Sequence, residues 1–131
     1  MPDVLLVDDD PDIRAMLAFT FSDCGFTVRE AGDGVQALGA LDERVPDVMI
    51  LDLMMPNLDG FGLLATMRER NLAPETQVVI LSCKVDERDL TRGYELGADE
   101  YVTKPFDPDG LVRKVEAMIA TAPTAASRPL L

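Results

Sequence analysis

VPDVMILDLMMPNLDG, Val45 to Gly60, is the stretch whose reading decides the fold. Val48, Met49, Ile50 and Leu51 form an apolar run too short for a helix, with Pro46 ahead of it and the turn residues Pro56, Asn57, Asp59 and Gly60 behind it. That pattern predicts a strand buried on both faces. Asp52 stands where the strand ends. A carboxylate at the carboxyl edge of a central parallel strand lies where open α/β sheets bind their ligands, and Asp59 can cap the helix that follows. Asp52 is left without a structural task.

Working outward, the same alternation repeats along the chain. Asp3 to Asp8 (DVLLVD) and Gln77 to Ser82 (QVVILS) are further continuous apolar runs and predict central strands. Phe26 to Ala31 (FTVREA) alternates apolar and polar, and Asp99 to Thr103 (DEYVT) is short and mixed, so both are expected at sheet edges. Asp10-Pro11 supplies a helix cap and first-turn proline, a pairing repeated at Asp107-Pro108. The first helix should bury a face of Ile13, Met16, Leu17, Thr20 and Cys24 and stop at Gly25. The second, capped by Asp33, carries Val35, Leu38 and Leu41. The third, opened by Asp59, carries Phe61, Leu64 and Met67 and is broken over Asn71 to Pro74. The fourth, Asp86 to Leu96, has Gly93 inside it and only Leu90, Tyr94 and Leu96 for apolar contact, which predicts the least firmly anchored helix. The fifth carries the regular stripe Leu111, Val112, Val115, Met118 and Ile119.

Such alternation predicts an α/β fold: a doubly wound, five-stranded parallel sheet of strand order 2-1-3-4-5 with five helices. With 131 residues, 47% of them hydrophobic, the chain suits one core. One domain is expected over residues 1–121. Residues 122–131, rich in Ala, Thr, Pro and Ser without a period, read as a flexible tail or a linker cut short.

Composition narrows the function. Twelve Lys and Arg against 24 Asp and Glu give a net charge of −12, which opposes direct binding to nucleic acid phosphates. No apolar run reaches membrane-spanning length and no signal-like leader opens the sequence, so a soluble, cytoplasmic protein is expected. The absence of histidine excludes His-based triads and the common zinc patterns. Cys24 and Cys83, without a CxxC, are expected to be small buried hydrophobes in a reducing cytosol.

In the 2-1-3-4-5 order, Asp8, Asp9 and Asp10, then Asp52, Ser82 and Lys104, all fall just past strand ends and face one crevice. Carboxylates crowded there raise one another's pKa and repel unless a counter-charge joins them. Oxygen ligands without His or Cys favour Mg²⁺, which keeps waters for a phosphate-bearing ligand. Lys104 adds a positive charge and Ser82 a hydroxyl donor, the complement of a transferring phosphoryl group. The nucleophile must then be a carboxylate, with Asp52 the central candidate. Asp10 reads as a helix cap.

Asp8-Asp9 after the first strand, Asp52 followed by MMPNLDG, Ser82 after VVIL, and YVTKPF from Tyr101 together resemble the receiver domain of two-component response regulators, over about residues 3 to 120. The resemblance implies a flavodoxin-like fold and a phosphorylation-controlled signalling switch rather than an enzyme. It implies Asp52 as phosphoacceptor, Asp8, Asp9, Asp52 and the Met54 backbone carbonyl around Mg²⁺, Lys104 as phosphoryl counter-ion, and Ser82 with Tyr101 as a switch pair. Met54 and Lys84 would flank the path of a hydrolytic water, and Lys104-Pro105 would be cis. The implied partners are a sensor histidine kinase or phosphotransfer protein, and an output partner or effector domain on the face made by the fourth helix, fifth strand and fifth helix. Cys83 stands where a smaller residue is usual. The rival reading, a haloacid dehalogenase-type phosphatase, resembles DxDx[TV] at its nucleophile, and Asp52-Leu53-Met54 lacks the second Asp.

Overall fold

The structure, a computed structural model, describes residues 2–55, 57–83 and 86–121. Five strands, β1 (Asp3–Val7), β2 (Thr27–Ala31), β3 (Val48–Leu51), β4 (Gln77–Ser82) and β5 (Glu100–Thr103), alternate with five helices, α1 (Pro11–Asp23), α2 (Gly34–Glu43), α3 (Gly60–Glu69), α4 (Glu87–Glu95) and α5 (Pro108–Thr121). The strands pair in parallel in the order β2-β1-β3-β4-β5, as the run of buried and mixed strands predicts. Every residue of β1 and β3 is buried, whereas β2 and β5 at the edges keep partly exposed positions.

Period-two alternation divides the core between the two faces of the sheet. Leu5, Val7, Met49, Leu51, Val78 and Ile80 pack with α2 and α3, while Val4, Leu6, Val48, Ile50, Val79 and Leu81 pack with α1 and α5. Asp10, Asp33, Asp59 and Asp86 cap the first four helices, each accepting backbone N–H groups of the first turn, and Asp107 accepts the Gly110 N–H at the start of α5. Asp59 thus takes the capping task next to Asp52. Among the described residues no helix is long and apolar enough to cross a membrane.

Several expectations are corrected. In α1 the buried side chains are Leu17 and Phe21, with Met16 41% exposed. Phe21 sets this rotation because its ring meets Phe26 edge to face at a centroid distance of 4.9 Å, burying more area than Met16 could. Cys24 and Cys83 are both exposed, not buried, and both are free thiols. Cys24 is the C-cap at the exposed end of α1, and Cys83 lies one residue past β4, where the ladder has ended. Val35 is 59% exposed because α2 faces the sheet through Ala37 and Leu41.

Helix α4 is the weakly anchored element, with Gly93 its only buried residue and Tyr94 exposed. Gly93 has a packing reason as well: a Cβ there would stand 2.7 Å from Ile80 Cδ1 and 3.7 Å from the Tyr101 ring. The helix is also held from outside by the Arg92 guanidinium, 4.4 Å from the centroid of the Phe61 ring. The readings made for Lys84 and for residues 122–131 fall outside the described residues.

Candidate functional site

The carboxyl ends of β1, β3 and β5 are extended by one backbone bond each into the residues beyond them. The Asp8 N–H donates to the Ala31 carbonyl at 3.1 Å, the Asp52 N–H to the Val7 carbonyl at 2.9 Å, and the Lys104 N–H to the Ser82 carbonyl at 3.0 Å. Asp8, Asp52 and Lys104 therefore ride on the sheet itself rather than on mobile loops. Asp8 and Asp52 are buried and Asp9 is exposed at the rim. One carboxylate oxygen from each of the three lies within 4.8 Å of the others.

Lys104 enters this cluster from β5. Its Nζ is 3.1 Å from Asp8 Oδ2 and 3.6 Å from Asp52 Oδ2. Burial works to lower the ammonium's pKa, but the Asp8 hydrogen bond and the charges of Asp52 and Asp8 prevail and raise it. The Lys104–Pro105 peptide is cis, as expected. Asp52 moves the other way: burial first, then the Asp8 charge, push its carboxyl from 3.8 up to about 6 against the opposing pull of Lys104 and of the Met54 N–H, which donates to Asp52 Oδ1 at 3.3 Å. The cluster thus holds more negative charge than a single lysine offsets. Three carboxylates without imidazole or thiolate fit a hard divalent cation taking oxygen ligands.

Ser82 is fully buried at the end of β4, and its side chain is hydrogen-bonded to Tyr101. Burial raises the Tyr101 phenol pKa, partly offset by that bond. Tyr101 stands inward, 9% exposed. Gly93 lies next to the Tyr101 ring: a Cβ there would touch the ring at 3.7 Å, and it is the Ile80 side chain, at 2.7 Å, that leaves no room for one. The Met54 side chain is exposed, while Asp10 caps α1 by accepting from the Asp12 and Ile13 N–H groups.

Three contacts escaped the sequence reading. Arg14 Nη1 donates to the Asp8 carbonyl at 2.6 Å, and Asn57 Nδ2 donates to Asp33 Oδ2 at 2.8 Å. The Gly34 N–H donates to the Leu58 carbonyl at 3.2 Å. An Arg one turn into the helix after Asp8-Asp9 was a readable signal for the first. The other two join segments far apart in sequence and had none.

Comparison with known proteins agrees with this geometry. The family described as "Response regulator receiver domain" matches residues 4–116. The chain is 41% identical over 116 residues to the DNA-binding response regulator MtrA of Mycolicibacterium smegmatis, covering 88% of this chain and 50% of that protein. It is 41% identical over 123 residues to a probable transcriptional regulator, ycf27, of Guillardia theta, covering 94% and 47%. The chain thus spans about half the length of the curated relatives it matches. Among solved structures, the receiver domain of Francisella response regulator 1452 aligns with a TM-score of 0.85 at 36% identity, over 92% of this chain and 98% of that one. Chemotaxis response regulator CheY4 of Vibrio cholerae aligns at 0.83 and 32%, over 89% and 98%. With the strand order, the strand-end carboxylates and these likenesses in agreement, the chain belongs to the response regulator receiver domain family, a family of phosphorylation-controlled signalling domains.

Proposed function

We propose that this domain accepts a phosphoryl group on Asp52 from the phosphohistidine of a sensor kinase or phosphotransfer protein and passes the signal through the face made by α4, β5 and α5. One observation carries the reading: Lys104 Nζ stands 3.1 Å from Asp8 and 3.6 Å from Asp52 at the carboxyl edge of the sheet, so a nucleophile, a counter-ion and an oxygen-rich cation site share one crevice. An Asp52 oxygen attacks phosphorus as the phosphorus–nitrogen bond breaks, and the departing imidazole keeps the bond's electron pair and takes a proton from solvent. With its carboxyl at about 6, Asp52 is mostly ionised at neutral pH and available for attack. Asp8, Asp9, Asp52 and the Met54 carbonyl would hold Mg²⁺, which would supply positive charge against the phosphoryl oxygens. Lys104 holds a further charge on them.

Ser82 links the site to the output. Its hydroxyl donates to a phosphoryl oxygen, and the Tyr101 O–H can then donate to Ser82, so two residues now bonded to each other become a chain starting at the phosphate. Tyr101 lies against Gly93, so a change in its bonding reaches α4, the helix with the fewest apolar anchors. Met54 restricts water's approach to the acyl phosphate from the exposed side. The site works in the cytoplasm and serves an output partner or effector domain; the −12 charge opposes nucleic acid binding by this domain itself.

A phosphatase reading fails at Met54, an apolar side chain at the position where an acid and base would be required. Incubation with p-nitrophenyl phosphate and Mg²⁺ checks this. The receiver reading expects no sustained release of nitrophenol; multiple turnovers per chain abolished by Asp52→Asn would refute it.

A further inference from the structure

Four residues that give the acidic cluster no ligand, Ala31 to Gly34, nevertheless hold both of its walls. Ala31 ends β2 and its carbonyl accepts the Asp8 N–H. Asp33 divides its carboxylate: Oδ1 caps α2 by accepting the Gln36 N–H at 2.8 Å, and Oδ2 accepts Asn57 Nδ2 at 2.8 Å. These two bonds hold the Asp33 carboxyl below its ordinary pKa, Gln36 contributing more. Gly34 comes next and donates its N–H to the Leu58 carbonyl. A Cβ on Gly34 would stand 2.4 Å from that carbonyl oxygen and 2.8 Å from Leu58 Cβ, so only glycine allows the approach.

The segment held in this way is the loop that leaves Asp52. The Gly60 N–H closes it by donating to the Leu53 carbonyl at 3.0 Å, and a Cβ on Gly60 would lie 2.8 Å from the Asp52 carbonyl oxygen. The closed loop is pinned to the start of α2 at Asn57 and Leu58. At its near end the Met54 N–H reaches the Asp52 carboxylate. A shift at the pinned end is carried toward Met54, whose N–H donates to Asp52 and whose carbonyl is among the ligands proposed above.

We propose that Asp33, Gly34 and Asn57 are positioning residues for the cation site: they clamp the β3–α3 loop to the start of α2 and so set the orientation of the Met54 peptide beside Asp52. This rests on the cation site proposed above. Asn57 has φ 68°, a left-handed conformation that Gly also adopts readily, so Asn57→Gly removes the side-chain bond without forcing the backbone to move. The pair can also be reversed. In the double variant Asp33→Asn/Asn57→Asp the amide and carboxylate exchange places, net charge is kept, and Asn can still cap α2.

The test titrates the full chain with Mn²⁺ as the probe, following the free ion by electron paramagnetic resonance, with thermal denaturation of each variant alongside. Asn57→Gly should weaken Mn²⁺ about three- to tenfold, the equilibrium worth of one side-chain hydrogen bond. Gly34→Ala should weaken it more, and the reversed pair should bind as the parent does. Parent-like affinity in Asn57→Gly overturns the proposal even if its midpoint falls, because a purely structural contact would give that result. Loss of affinity in the reversed pair equal to that in Asn57→Gly overturns it too. Asp9→Asn and Asp52→Asn must both bind Mn²⁺ more weakly than the parent; if they do not, the cation site itself falls, which is a different failure.

Discussion

Removing the negative charge of Asp52 should make the cation-free protein more stable, although it abolishes the proposed acceptor. Burial and the Asp8 charge raise the carboxyl from 3.8 to about 6, so the folded chain holds this proton more tightly than the unfolded chain does. Below about pH 3.8 both states carry the proton and no penalty arises. As pH rises from 3.8 to 6 the unfolded state releases it first and folding stability falls, and above about 6 the full penalty persists. At about 1.4 kcal/mol for each tenfold change, the difference between 3.8 and about 6 amounts to about 3 kcal/mol. Asp9 at the rim is exposed and the crevice admits solvent, so about 1–2 kcal/mol is the magnitude to expect after screening. For a domain of this size that corresponds to a rise in midpoint of about 3–10 °C. Thermal denaturation of the parent and Asp52→Asn, followed by circular dichroism in EDTA at pH 7.5, measures it. The gap should close at pH 4 and narrow when saturating Mg²⁺ stabilises the parent. An Asp52→Asn midpoint in EDTA equal to or below that of the parent would refute the electrostatic account of the crevice.

Arg92→Ala removes the cation–π contact with Phe61 and should speed amide exchange across α4 about two- to fivefold, as expected for about 0.5–1 kcal/mol lost from an exposed pair. Exchange unchanged in α4 would show that the stack does not hold the helix. Beryllofluoride with Mg²⁺, a phosphoryl mimic, should alter protection across residues 86–101, where Ser82 and Tyr101 meet α4 and β5. Identical protection with and without it would remove the proposed route from Asp52 to the output face.

The sheet was legible because parallel strands covered on both faces leave continuous apolar runs. Val4 to Val7, Val48 to Leu51 and Val78 to Leu81 could be nothing else of that length, and the more polar β2 and β5 were thereby assigned to the edges. The site followed from topology: once the strand order was fixed, Asp8, Asp9, Asp52, Ser82 and Lys104 had to share one edge of the sheet. Rotation of the helices was less legible. In α1 the predicted face of Ile13, Met16, Leu17, Thr20 and Cys24 includes the buried Leu17 but not Phe21, whose meeting with Phe26 turns the buried face toward it. Gly93 read as a weakness of α4, yet it is also the point where the helix backbone approaches Ile80 too closely for a side chain. The Asn57–Asp33 bond depends on a left-handed residue in the loop after Asp52, which no periodicity reports.

The most direct measurement of the central claim is intact-mass and peptide mapping of the chain after incubation with acetyl phosphate and Mg²⁺. The account predicts one added phosphoryl group, located at Asp52, labile to alkali and hydroxylamine as an acyl phosphate is, and absent when EDTA replaces the metal. A phosphoryl group that still appears in Asp52→Asn, or that maps to another residue of the parent, would contradict it.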